Sequence, residues 1–230
     1  MRKKKICKIL FDMGDYANIC KDMSENKDIS PIDPLWDKNP DRHIVRIEKG
    51  HDFCYVSIEE TRTVIVFNPS DDIDDWKSNG NWPKNDLDIH RDFYDSAKKF
   101  FGELGEILDH NKDKDIYFTG YSRGGGLTLI TAYHFAKNCN IASEVYPIVD
   151  PRVGGKKFRK ECKRLPIHIH HLHQRGGIVD DVPPRIFGFK DIGIISYLKP
   201  KWWYFMPSLA IRWTAIHLDW YDNLQRHLPR

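Results

Sequence analysis

The chain has 230 residues and a mass of 27.1 kDa, with 40% hydrophobic, 13% aromatic and 30% charged residues. That is enough apolar material for one sizeable core, so global disorder and repetitive fibrous classes are excluded, and the length favours a single domain over residues 1–230. Lys and Arg number 36 against 33 Asp and Glu, a net charge of +3 that does not mark a nucleic-acid binder, and the mean hydropathy of −0.58 and lack of any 18-residue apolar run exclude a spanning helix.

In chain order, Arg2 to Lys5 precede an apolar stretch that Lys8 and then Asp12 interrupt. No small-residue cleavage site follows, so the expectation is a cytoplasmic product without a secretory signal. Residues 1–42 read as a short helix and then an irregular connector carrying Pro31, Pro34 and Pro40. Three apolar runs at 43–47, 53–58 and 63–67, separated by short polar turns, predict an antiparallel meander. Residues 68–85 form a loop. Phe93, Ala97, Phe100, Phe101, Leu104, Ile107 and Leu108 recur at helical spacing and predict one helix, with Asp92 as its cap. A strand at 116–119, a helix over 124–136 and strands at 145–149 and 167–172 follow. Strands joined by helices imply an α/β fold, a mixed sheet with helices packed on it.

Gly120-Tyr121-Ser122-Arg123-Gly124 lies between a predicted strand and a predicted helix. This is G-x-S-x-G in the setting of a nucleophile elbow. A strained turn would lift the Ser122 hydroxyl above the sheet, glycines two residues away would let strand and helix approach, and the N–H of Arg123 at the helix start could hold an oxyanion. A serine nucleophile needs a base and an orienting carboxylate, and the hydrolase order is serine, acid, histidine. The acids in range are Glu144, Asp150, Glu161, Asp180, Asp181 and Asp191, with His217 and His227 beyond them. His227 lies three residues from the end, which favours His217; the acid stays open on this logic.

Further motifs fall in a fixed order: Phe67-Asn68-Pro69-Ser70, Asp75-Trp76, His90-Arg91-Asp92-Phe93, the Ser122 elbow, Pro151-Arg152-Val153-Gly154, Asp180-Asp181-Val182-Pro183 and His217. Together they resemble the class 3, fungal-type lipases of the α/β-hydrolase superfamily. The resemblance implies an α/β-hydrolase domain with a mostly parallel central sheet. It implies Ser122 as nucleophile, Asp180 as the triad acid (Asp181 as the alternative) and His217 as base. Ser70 and the N–H of Arg123 would form the oxyanion hole. The implied activity is hydrolysis of carboxylic esters, with lipid or other acyl esters as substrate, contact with a lipid interface, and no metal or organic cofactor. Asn68-Pro69 stands where the family carries Arg-Gly, Tyr121 where it carries His, Arg123 where it carries Leu, Asp92 where it carries Gly, and Asp191 where many members carry His. The Asn68-Pro69 departure motivates the rival expectation, a catalytically impaired lipase-like scaffold used for binding or assembly.

Other features read more plainly. His168, His170, His171 and His173 have H-x-H spacing, but with no cysteine or repeated carboxylate nearby they read as a polar strand face. The run from Asp71 to Asp75 lacks the glycine and terminal Glu of a calcium loop and reads as solvated. Lys201 to Met206, with two Trp and a Tyr, would rim an acyl pocket, dock on lipid, or pack in the core. The five scattered cysteines contain no C-x-x-C pair and read as reduced thiols.

Overall fold

The computed structural model describes residues 43–69, 82–174 and 179–198. Its centre is a seven-stranded sheet in which each strand pairs with the one before it in sequence. β1 (His43–Lys49), β2 (Asp52–Ile58) and β3 (Arg62–Phe67) form the antiparallel meander. Its first hairpin closes through Gly50-His51, with Gly50 at φ 77, the positive φ that a tight two-residue turn asks of glycine. β4 (Asp115–Tyr121), β5 (Ser143–Ile148), β6 (Ile167–Gln174) and β7 (Ile194–Leu198) then add in parallel.

Helices fill the crossovers from β3 to β6: α1 (Arg91–Lys98), α2 (Phe101–His110), α3 (Arg123–Cys139) and α4 (Lys156–Cys162). The predicted helix over 93–108 is therefore two. Lys99 N–H bonds Ser96 O at 3.2 Å and Phe100 N–H bonds Ala97 O at 3.1 Å, so the chain overwinds into i→i−3 bonds between them. Phe93, Ala97, Phe100, Leu104 and Leu108 still reach the core, which is why the periodicity looked continuous. Asp92 lies within the first turn instead of capping it, and the N-cap position belongs to His90, whose side chain makes no cap bond.

Ile65, Phe67, Ile116, Phe118, Val145, Ile167 and Ile169 project from the sheet into one core with Leu127, Ile130 and Phe135 of α3 and Phe158 of α4. α3 lies across β3, β4, β5 and β6 and is buried along most of its length. Two elements give little sequence signal. α4 has only Phe158 and Cys162 buried, and β7 leaves Ile194 and Tyr197 exposed.

Candidate active site at the end of β4

β4 ends at Tyr121 and α3 begins at Arg123, so Ser122 alone makes the turn between them. It takes φ 54 and ψ −120, a conformation that costs a residue with a Cβ about 1–3 kcal/mol. The surroundings hold it there. Ser122 N–H donates to Ile148 O at 2.9 Å, and Ser122 O accepts from Gly125 N–H at 3.0 Å. The glycines are dictated by close approach: a Cβ on Gly120 would fall 2.5 Å from Gly124 C, and one on Gly124 would fall 2.4 Å from Phe67 O. Ser122 is fully buried, and its Oγ has no hydrogen-bond partner among the described residues.

Arg123 is the first residue of α3, so its N–H has no acceptor within the helix. Its guanidinium is committed elsewhere. Nε and Nη2 meet the two oxygens of Asp52 at 2.9 and 3.1 Å, Nη2 also donates to Ser96 Oγ at 2.7 Å, and the group lies over the Phe93 ring. What Arg123 can offer a reacting group beside Ser122 is therefore its main-chain N–H.

β3 leads into the loop that carries Ser70, which lies outside the described residues, as do His217, His227, the Asp71 to Asp75 run and Lys201 to Met206. Asn68 explains part of the departure at that loop. Its Oδ1 accepts Phe53 N–H at 2.7 Å, its Nδ2 donates to Pro69 O at 2.8 Å, and its own N–H bonds Phe53 O at 3.1 Å. The side chain stands in for a backbone carbonyl and extends the β2–β3 ladder past the end of the strand.

Asp180 is described by its backbone alone, within a 3-10 turn spanning Val179–Asp181. The segment is tied to the exit of β5, because Arg152 N–H donates to Val182 O at 2.9 Å. The other candidate acids have described partners. Asp181 is exposed and accepts from Arg152 Nη2 at 3.0 Å. Asp191 binds Arg152 Nε at 2.6 Å and also pairs with Arg185. Glu161 is held by Tyr133 and Lys137, and Glu144 by His168 at 2.8 Å. Glu144 pairs in register with Tyr117, which puts it four strand residues, about 13 Å, back from Tyr121.

The histidines of β6 split by strand parity. His168 and His170 turn towards Glu144, and the His170 ring stacks on Tyr146, the polar strand face expected of them. His171 and His173 turn to the opposite side and meet Asp150, a partner that sequence reading missed. Asp150 follows Val149, which sits at φ 48, rare for a β-branched residue. Strained backbone thus marks the C-terminal ends of two neighbouring strands. Burial alone would raise the Asp150 carboxyl pKa; the charge and hydrogen bonds of His171 and His173 outweigh it and hold the group below the usual carboxylate range. Burial shifts His90, at the start of α1, towards its neutral form.

Residues 55–187, more than half of the chain, match the class 3 lipase family. The chain belongs to the class 3 lipases. Among curated relatives, a chloroplastic phospholipase A1 of Arabidopsis thaliana is 30% identical over 138 residues, covering 53% of this chain and 21% of its own length. A lipase of Rhizopus niveus is 26% identical over 151 residues, covering 62% of this chain and 36% of its own. The chain therefore spans only about a fifth to a third of these relatives. A lipase from Rhizopus microsporus var. chinensis superposes with a TM-score of 0.72 at 17% identity, over 84% of this chain and 75% of that one. The α/β-hydrolase architecture expected from the class 3 motifs is the one observed.

Proposed function

We propose that this class 3 lipase domain is a serine hydrolase that cleaves carboxylic esters of lipids through an acyl-enzyme. The observation that carries the proposal is Ser122 in a strained strand-to-helix turn, with the N–H of Arg123 opening the helix beside it. In this reading His217 takes the Ser122 proton as Oγ attacks the acyl carbonyl. The N–H of Arg123, together with Ser70, stabilises the oxyanion. Collapse breaks the ester C–O bond, and His217 protonates the departing alcohol. Water, deprotonated by the same histidine, then releases the acid and restores Ser122.

Asp180 would orient His217. Support comes from its place in Asp180-Asp181-Val182-Pro183 and from the described partners that already occupy Glu144, Glu161, Asp181 and Asp191. The lipases and phospholipase to which the chain is similar support an acyl lipid as substrate, and a similarly folded fungal lipase whose inhibitor complex gave a model for interfacial activation supports contact with a lipid–water interface. No described helix is long and apolar enough to cross a membrane.

The test is intact mass after treatment with a fluorophosphonate, in buffer and in the presence of ester micelles. One adduct is expected on the wild type and none on Ser122→Ala, with labelling slowed at least about 100-fold in His217→Ala. A folded wild type that takes no adduct under either condition overturns the proposal in favour of a binding scaffold.

A further inference from the structure

Asp150, His171 and His173 form a compact buried cluster. Asp150 Oδ1 lies 2.7 Å from His171 Nδ1 and 3.1 Å from His173 Nε2. The three residues are 2%, 4% and 4% exposed, and one donor atom from each lies within 4.8 Å of the other two. Beside them is a cavity of about 10 Å³, lined also by Leu129, Arg152 and Asp191. That is about the space of one water molecule.

Hydrogen bonding within the cluster leaves it incomplete. Both imidazoles converge on one carboxylate oxygen, and His171 Nε2 is buried with no hydrogen-bond partner among the described residues. The nitrogens that face Asp150, His171 Nδ1 and His173 Nε2, are the ones that would bind a metal, and the unpartnered His171 Nε2 is the ring's other nitrogen, which keeps its proton. Two imidazoles and one carboxylate, with space for a fourth ligand, are the donors of a tetrahedral zinc site that keeps one open position. Zinc bonds of about 2.1 Å set the ligand atoms roughly 3.4 Å apart, so the His171 and Asp150 atoms, now 2.7 Å apart, would part by about 0.7 Å and those of His173 and Asp150, now 3.1 Å apart, by about 0.3 Å. Of the two cations that line the cavity, Arg152 and Lys190, the Arg152 guanidinium is already neutralised by Asp181 and Asp191.

We propose that Asp150, His171 and His173 bind one zinc ion, which ties the exit of β5 to β6 behind the nucleophile turn. The location gives the ion a structural role. A Cβ on Gly125 of α3 would lie 2.6 Å from Asp150 Cβ, so the cluster abuts the first turn of the helix that Ser122 caps. Sequence spacing concealed the site because Asp150 precedes the two histidines by 21 and 23 residues. Only the parallel pairing of β5 with β6 brings them together.

The test is zinc titration of the chelator-stripped wild-type protein against a chromophoric competitor, with native mass spectrometry for stoichiometry. One equivalent is expected, accompanied by a rise in melting temperature. Losing even a group that supports a ligand costs 10–100-fold in metal affinity, so His171→Gln and His173→Gln should each weaken binding by about 100-fold or more. His168→Gln, on the other strand face, should bind as wild type does. X-ray absorption of the zinc-loaded wild type supplies a measurement that needs no variant, and should show a first shell of nitrogen and oxygen with two imidazoles. Absence of stoichiometric binding, survival of binding in both glutamine variants, or a shell lacking imidazole overturns the proposal.

Discussion

Ser122 occupies its strained φ because every neighbour that could relax it is fixed: Ile148 O holds its N–H, and the backbones at Gly120 and Gly124 are in contact. The strain is thus a property of the packing around one residue, and it sets where the hydroxyl points. The same residue-scale logic separates the two adjacent aspartates. Asp181 is 77% exposed at its side chain and engaged by Arg152, so Asp181→Asn should leave kcat/KM for a soluble ester within about tenfold of wild type. Asp180→Asn should lower it by about 10³–10⁴-fold with the fold intact, as loss of an orienting carboxylate does elsewhere. Ester kinetics beside circular dichroism would check both, and the reverse ranking would assign the acid to Asp181.

At the scale of elements, side chains finish what the strands begin. Asn68 carries the β2–β3 ladder into the loop before Pro69, so Asn68→Ala strands the buried N–H of Phe53. A loss of about 1–3 kcal/mol is expected in urea unfolding. Arg152 likewise joins the exit of β5 to the segment before β7 through Asp191. Burial pushes the Asp191 carboxyl pKa up, but hydrogen bonds and charge from Arg152 and Arg185 prevail and hold it below the ordinary range. A depressed carboxyl contributes stability that is present above its unfolded pKa and is lost as pH falls through the folded one. Asp191→Asn should therefore cost about 2–3 kcal/mol at neutral pH. The gap to wild type should narrow below about pH 4, the ordinary carboxylate pKa, in melting curves taken across pH. A gap that stays constant down to pH 2 would remove the ion pair as its cause.

These ties also mark where sequence reading stops. The Ser122 turn was legible because five consecutive residues carry it, and the meander because each run is apolar and separated by a short turn. Arg123 with Asp52 spans 71 positions and Asp150 with His171 spans 21, and neither distance leaves a periodic trace. The division between α1 and α2 was hidden for the opposite reason: the overwound turn at Lys99 and Phe100 preserves the buried face that the periodicity reports.

For the molecule as a whole, the parallel part of the sheet is wound in one direction, with β3 to β7 laid down in sequence order and α3 spanning four of those strands. Such a sheet does not change direction at its centre, so its candidate site is placed by the β4–α3 turn and not by a topological switch point. Strand order has a further consequence, for biosynthesis. Because β2 to β7 each pair with the preceding strand, a chain emerging from the ribosome always has a finished edge on which to add the next one, and N-terminal parts can fold first. Arg123 finds Asp52 already in place, Ser122 acquires its anchor one strand later when Ile148 arrives, and Asp150 waits one strand more for His171. The nucleophile turn would thus be locked before the segment bearing Asp180 has emerged from the ribosome, and the hydrolytic machinery would be completed last, on a frame already standing.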